Sequence, residues 1–244
     1  MFASRERRIG AAGVFDVAFT DRHGGLSAAP FDSLDLSRSR PGAEADLAAN
    51  LEILASAFDV RGFLTMRQVQ GADVVVVHSL DEPQPVCDAL VTTSTDLALC
   101  VRVGDCVPVV LADVETGVTA VAHVGRRGVV AEVVHQTIST MREVGASSVD
   151  AWLGPHVCGG CYEVPAQLRD EVAAAVPAAY ACTTWGTPSL DIGAAVSAQL
   201  LAGGCAVNDR SVCTVECTDF FSYRRDGAAS GRFAGVVVRR SSGP

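Results

Sequence analysis

Two apolar runs, Val107–Ala112 and Val118–Val124, lie on either side of the turn Asp113-Val114-Glu115-Thr116-Gly117 and read as a β-hairpin. Of all the features of the chain, this hairpin says most about which residues must meet. If Ala112 pairs with Val118, partner positions sum to about 230 and Val107 pairs with His123. Cys106 then lies at the open end, one residue from the His123 partner, with the two side chains about 5 Å apart. A thiol and an imidazole at that distance can form a thiolate–imidazolium pair or two ligands of a soft metal. Gly104-Asp105-Cys106 reads as a tight turn, and Gly125-Arg126-Arg127-Gly128 opens the following helix. Free N–H groups at a helix start, with two guanidiniums, make an anion site. A buried structural cysteine and a satisfied core histidine remain the plainer alternative.

Around the hairpin the chain reads as mixed strands and helices. Leu47, Leu51, Leu54 and Phe58 recur at spacings of three and four, so Glu44 to Phe58 is expected as an amphipathic helix. Strands are expected at Val14 to Thr20, Phe63 to Val69, Val74 to His78, Ala89 to Val91, Leu97 to Val103, Val149 to Leu153 and Val236 to Arg239. One helix is expected from Arg126 to Val144, and others from Pro165 to Val176 and Leu190 to Leu201. Strands and helices that do not strictly alternate indicate an α/β or α+β fold, with mixed β-sheets flanked by helices. No linker or repeat divides the chain. Residues 1–10 read as a tail and 11–244 as a single domain.

Composition removes several classes of function. Apolar residues make up 49% of the 244 and charged ones only 19%, which excludes a disordered chain. A net charge of -9 repels polyphosphate and argues against a nucleic-acid partner. No run approaches the length of a membrane span. All 19 basic residues are arginine, which excludes Schiff-base chemistry and a P-loop lysine. Nine cysteines are an odd number for a disulfide framework, so the chain reads as reduced and cytoplasmic. Cys158-Gly159-Gly160-Cys161 is a lone C-x-x-C pair, read as packed thiols or a redox pair. Cys182, Cys205, Cys213 and Cys217 show no ligand spacing.

Further blocks carry a family resemblance. In order, they are Arg22-His23-Gly24-Gly25-Leu26-Ser27, Pro30-Phe31-Asp32-Ser33-Leu34-Asp35-Leu36, Gln68-Val69-Gln70-Gly71 and Asp88-Ala89-Leu90-Val91-Thr92. There follow Gly104-Asp105-Cys106-Val107-Pro108-Val109, Ala122-His123-Val124-Gly125-Arg126-Arg127-Gly128, Leu153-Gly154-Pro155, Cys161-Tyr162-Glu163-Val164, Phe220-Phe221-Ser222-Tyr223-Arg224-Arg225-Asp226 and Gly231-Arg232-Phe233-Ala234-Gly235. Over nearly its whole length the chain resembles the YfiH family, also called the polyphenol oxidase, laccase-domain or purine nucleoside phosphorylase family. The resemblance implies a cysteine-hydrolase-like fold. It also implies phosphorolysis of purine nucleosides, with adenosine deamination and methylthioadenosine phosphorolysis in some members. In the family, zinc, and sometimes copper, is held by two histidines and a cysteine in the motifs Q-V-H-G, A-D-C and A-H-A-G-W-R-G.

Carried over, Cys106 and His123 match two ligands, Asp105 would orient them from behind, and the third ligand position is Gln70. A glutamine carbonyl is a weak zinc ligand, so zinc at this corner is expected to be weakly held or substoichiometric. Arg126 stands where the family has tryptophan, and Leu51, beside Asn50, where an arginine is common. Arg126 and Arg127 would bind phosphate, and Asn50 and Arg22 are carried over as further substrate positions. Arg224 and Arg225 are further candidates for phosphate, and His23 and Ser27 for a site wall. Three readings stay open: a purine nucleoside phosphorylase-like enzyme, a metal-free hydrolase with Cys106 as nucleophile, His123 as base and Gln70 as oxyanion donor, and a silent binding protein. Gln70→His is expected to raise zinc occupancy at this corner, read by elemental analysis; unchanged occupancy would place the family metal elsewhere.

Overall fold

The computed structural model describes residues 1–38 and 42–241. Its first strand corrects the expected tail: Phe2–Gly10 (β1) pairs antiparallel with Gly13–Thr20 (β2). The run Arg5-Glu6-Arg7-Arg8 resembles a solvated tail because β1 is an edge strand, where charge is tolerated and discourages further pairing. Arg7 sits opposite Asp16 and donates to it at 3.0 Å, while Arg240 donates to the same carboxylate at 2.7 Å. Burial opposes ionisation of Asp16, but the two guanidiniums hold it below the ordinary carboxylate range.

The elements that follow are Ala43–Phe58 (α1), Phe63–Thr65 (β3), Val74–Val76 (β4), Ala89–Thr92 (β5), Ala98–Val103 (β6), Val107–Ala112 (β7) and Thr119–Val124 (β8). Next come Arg126–Val130 (α2), Val133–Glu143 (α3), Asp150–Leu153 (β9), Ala166–Ala175 (α4), Tyr180–Cys182 (β10), Pro188–Leu190 (β11) and Ile192–Ala202 (α5). Ala206–Asp209 (β12), Tyr223–Asp226 (α6) and Phe233–Arg240 (β13) complete the series. A five-stranded sheet has the order β1-β2-β13-β6-β3, and a six-stranded sheet the order β12-β9-β7-β8-β5-β4. Both are mixed: β3–β6, β12–β9 and β4–β5 are parallel, and the other pairs antiparallel.

The two sheets pack face to face in a single domain. Val110, Ala112, Val121 and Trp152 meet Phe15, Val17, Phe19 and Val237 in one buried cluster. The other face of the six-stranded sheet, with Val107, Val109 and Leu111, packs on Val133, Ile138, Val196 and Leu200 from the helices. Helix α1 covers the far side of the five-stranded sheet through Leu54 and Phe58. This layering explains the unbroken apolar run of β7, which is buried on both faces. No helix among the described residues is long and apolar enough to cross a membrane.

The hairpin register is one residue from the expected one. Ala112 pairs with Thr119, Pro108 with His123 and Val107 with Val124. The cause is Asp113, which belongs to the turn. Its N–H donates to Val118 O at 2.8 Å, its carbonyl accepts Gly117 N–H at 2.8 Å, and Gly117 turns at φ 90. The Asp113 carboxylate accepts the N–H groups of Glu115 and Thr116 within the turn, and of Ser147 and Ser148 from the loop after α3. The long helix expected from Arg126 also divides. Glu132 has φ 61 and ends α2 after five residues, and the Val129 carbonyl at the break accepts from Gln199 of α5 at 2.8 Å.

Burial alone would raise the Asp113 pKa, but four backbone N–H groups hold it down at about 2. The carboxylate therefore stabilises the fold above its unfolded value of 3.8, and the contribution is lost as pH falls towards about 2. Asp113→Ala is expected to cost about 3 kcal/mol at neutral pH, from several lost hydrogen bonds to a charged acceptor. In urea titrations its deficit against the parent should shrink as pH falls through that window. A constant deficit from neutral pH to pH 2 would contradict the assignment.

Candidate functional site

The open end of the β7–β8 hairpin meets the start of β5, and a buried carboxylate organises the junction. Asp88 is fully buried and its Oδ1 lies 2.8 Å from His123 Nδ1. The same carboxylate accepts the N–H groups of Val69 at 3.2 Å, Gln70 at 3.0 Å and Gly71 at 2.7 Å. These bonds hold Gln70 in the left-handed region, at φ 59, and present it to the corner. Burial works against the Asp88 charge, yet His123 and the amides keep its pKa below the usual range. Burial would likewise lower the His123 pKa, but the Cys106 sulfur and Asp88 outweigh it and raise the imidazole to about 9. Cys106, His123 and Asp88 thus form a line of thiol, imidazole and carboxylate, with the imidazole held by its Nδ1 side.

The register seats Cys106 opposite Gly125, beyond the last strand pair. A Cβ built on Gly125 would come 3.1 Å from Cys106 Sγ and 3.6 Å from Gln70 Oε1, so the absent side chain is what lets the two groups approach. Asp105, expected behind the imidazole, has another task. Its Oδ1 accepts from Thr214 Oγ1 at 2.6 Å, its Oδ2 from the Arg224 N–H at 2.6 Å, and its carbonyl from the Val157 N–H at 3.0 Å. Those bonds fix the turn before Cys106 at φ 94. The group that contacts the imidazole is Asp88, the first residue of the Asp88-Ala89-Leu90-Val91-Thr92 motif. Its place before β5, with the Asp88 carbonyl accepting the His123 N–H at 2.8 Å, is a consequence of sheet pairing.

A cavity of about 730 Å³ opens onto this corner and is lined by Gln70, Asp105, Cys106, His123 and Tyr162 together with Arg38, Arg67, Arg102, Arg126, Arg224 and Arg232. Six guanidiniums converge in a protein of net charge -9, while both oxygens of the lining carboxylate Asp105 are already engaged. Arg126 lies beside Tyr162, and Arg224 stacks 4.9 Å above the Tyr162 ring while donating to Glu163 O at 2.8 Å. Burial and the Cys106 sulfur push the Tyr162 hydroxyl pKa up, against the opposing pull of the arginines. Arg102 donates to Leu36 O and Met66 O, and burial lowers its pKa. Guanidiniums gathered beside an aromatic ring can hold an anion attached to a flat or polar body.

Other expected contributors lie elsewhere. Arg127 is exposed and outside the lining, and the five-residue α2 is too short for a strong helix dipole at its start. Asn50 is buried among loop partners, accepting from Leu26 N–H and donating to Ser27 Oγ and Asp35 O. Arg22 donates to Pro30 O and Asp32 O and lies 4.5 Å over the Phe221 ring. Both hold the segment around Ser27 to Asp35 in shape, so Ser27 is a packing partner. His23 points to Asp219 at 3.0 Å. Arg225 is spent on the carbonyls of Thr214, Cys217 and Phe220.

The donor set at the corner limits the metals it fits. Cys106 and His123 are strong ligands, Gln70 adds only an amide oxygen, and His123 is the one histidine among the described lining residues. A catalytic zinc needs three firm protein ligands, and a copper oxidase several imidazoles. This corner fits neither.

The chain matches, over residues 16–240, the family described as multi-copper polyphenol oxidoreductase laccase. It is 50% identical over 228 residues to a purine nucleoside phosphorylase of Streptomyces coelicolor, covering 90% of this chain and 93% of that one. A purine nucleoside phosphorylase of Streptomyces griseus is 46% identical over 230 residues, covering 90% and 92%. The crystal structure of YlmD from Geobacillus stearothermophilus superposes with a TM-score of 0.82 at 28% identity, covering 95% of this chain and 93% of that one. With the fold, the order of motifs and these relatives in agreement, the chain belongs to the YfiH family, the laccase-domain family of multi-copper polyphenol oxidoreductases.

Proposed function

We propose that this protein is a purine nucleoside phosphorylase-like enzyme that cleaves the glycosidic bond of adenosine, inosine or methylthioadenosine with phosphate. The observation that carries the reading is the arginine-lined cavity closing on the His123–Asp88 pair. Phosphate sits among Arg126, Arg224 and Arg232, whose forked guanidiniums suit a tetrahedral dianion. The Tyr162 ring offers a flat surface to the nucleoside, and the Gln70 amide both donates and accepts at a purine edge.

A phosphate oxygen attacks the anomeric carbon as the bond to the purine nitrogen breaks, and the electron pair leaves with the base. His123, raised to about 9, is charged at neutral pH and delivers a proton to the departing purine. Asp88 stabilises the imidazolium before transfer, and the neutral imidazole recovers its proton from water. The arginines neutralise charge on the phosphate and order it against the sugar. Adenosine deamination would need a water activated by a three-ligand metal, and the corner supplies two firm ligands, so phosphorolysis is the activity assigned. The nine cysteines are all free, and we place the protein in a reducing cytoplasm.

The Cys106–His123–Asp88 line also favours a second reading, a metal-free hydrolase with Cys106 as nucleophile. Incubation with inosine and phosphate in the presence of a chelator separates the two. Phosphorolysis gives free base and ribose 1-phosphate in equal amounts, only when phosphate is present. Absence of base release, together with fast iodoacetamide labelling of Cys106 near neutral pH, would favour the hydrolase. No turnover and sluggish labelling would leave a binding protein.

Two variants test the assigned roles. Arg126→Ala is expected to raise KM for phosphate by about 10- to 100-fold, the worth of one charge-assisted contact, while Arg127→Ala leaves it unchanged. Equal effects from both would remove the cavity from the phosphate site. Because the raised pKa keeps His123 protonated below about 9, kcat should fall as pH rises through that value. Asp88→Asn removes the stabilising charge and should shift that limb to lower pH. A limb unmoved by the substitution would take His123 out of the role of acid.

A further inference from the structure

Behind the cavity wall, two loops bring four ligand-bearing side chains together. Cys158 and Cys161 lie in the loop after β9, and Cys213 and Glu216 in the loop after β12. One ligand atom from each lies within 4.8 Å of all the others. No disulfide forms among these cysteines. The two loops are joined by a parallel bridge between His156 and Cys213, with the His156 N–H on Val212 O at 3.1 Å and the Thr214 N–H on His156 O at 3.0 Å.

Each loop turns tightly behind its first cysteine. The N–H groups of Cys161 and Tyr162 return to Cys158 O, and that of Cys217 returns to Cys213 O. The backbone is also aimed at sulfur. Cys158 Sγ accepts the Gly160 N–H, and Cys213 Sγ accepts the N–H groups of Cys158, Val215 and Glu216. Cys161 Sγ lies 3.3 Å from Glu216 Oε1, with the thiol donating to the carboxylate.

We propose that Cys158, Cys161, Cys213 and Glu216 form a structural zinc site. Tetrahedral zinc with bonds of about 2.3 Å to sulfur places ligand atoms about 3.8 Å apart, a small contraction of the observed cluster. Zinc displaces the thiol protons to solvent as the thiolates bind. Four protein ligands leave no open position for substrate, which marks the site as structural. It lies outside the Cys106–His123 corner, whose third position is only a glutamine.

The site has a purpose in the fold. The Cys213 loop carries Thr214, whose hydroxyl holds Asp105 beside Cys106, and Cys161 immediately precedes Tyr162 in the cavity wall. Arg225, paired with Asp226, binds the carbonyls of Thr214 and Cys217 and so braces the same loop. A metal that ties the two loops together would therefore set the wall of the arginine-lined cavity.

The test measures metal in the full-length, untagged protein, purified with a reductant and dialysed against zinc-free buffer. One zinc per chain is expected in the wild type and in Cys106→Ser, and near-complete loss in Cys161→Ser and Cys213→Ser. Cobalt(II) added after chelator treatment should give a thiolate-to-cobalt charge-transfer band that survives in Cys106→Ser and vanishes in Cys213→Ser. Should the cysteine variants fail to fold, thiol titration of the wild type decides: chelation should expose three additional reactive thiols. Equal zinc in wild type and Cys213→Ser, loss of zinc in Cys106→Ser, or a reduced wild type that binds neither metal and shows no change in reactive thiols would overturn the proposal.

Discussion

Burial of the β7–β8 hairpin on both faces is the constraint on which the rest of the architecture depends. Alternate side chains of β7 enter two different cores, so a slip of one residue would exchange every partner of Val109, Val110 and Leu111 at once. The register is held at the closed end by Asp113 and at the open end by what the corner requires. There, Cys106 faces Gly125 and His123 stands over Asp88. The precision of the corner is inherited from two packed cores rather than from the flexible loops around it.

The second organising feature is the separation of charge. A net acidic protein surrounds a cavity that gathers arginines, and Arg102, Arg224 and Arg232 among them are steadied by carbonyl acceptors or an aromatic face. Arginine suits the task because its planar fork stacks and donates at once, whereas lysine offers a mobile point charge. Desolvation also raises the worth of each remaining donor to an anion bound there. Asp105 contributes by removing itself from competition, since both carboxylate oxygens are spent on Thr214 and Arg224.

One sulfur environment lines the cavity and another lies outside its lining. Cys106 lies beside an imidazole whose charge is supported by a buried carboxylate. Cys158, Cys161 and Cys213 lie in two tight turns with Glu216, their ligand atoms within 4.8 Å of one another. The first environment was legible in the sequence because Cys106 and His123 belong to one hairpin, where local pairing brings them together. The second was not. Cys213 is far from Cys158 along the chain, and the His156–Cys213 bridge that joins them forms only once β9 and β12 lie side by side. Asp88 escaped for the same reason, because its partner His123 is reached through the β5–β8 pairing.

The sequence by itself determined the mixed α/β class, the positions of α1, β2, β5 to β9 and α5 to within a few residues, the family, and the pairing of a cysteine with a histidine at one hairpin end. These follow from local periodicity and from motifs contiguous in the chain. Tertiary structure alone decided that residues 2–10 form an edge strand, because charged side chains there are satisfied by Asp16 and solvent rather than by their own segment. It also decided the one-residue register, the break between α2 and α3, and the choice of Arg224 and Arg232 over Arg127 as cavity walls. A side chain's direction depends on which faces are buried by distant strands, and that information is not carried by the neighbours of a residue in sequence.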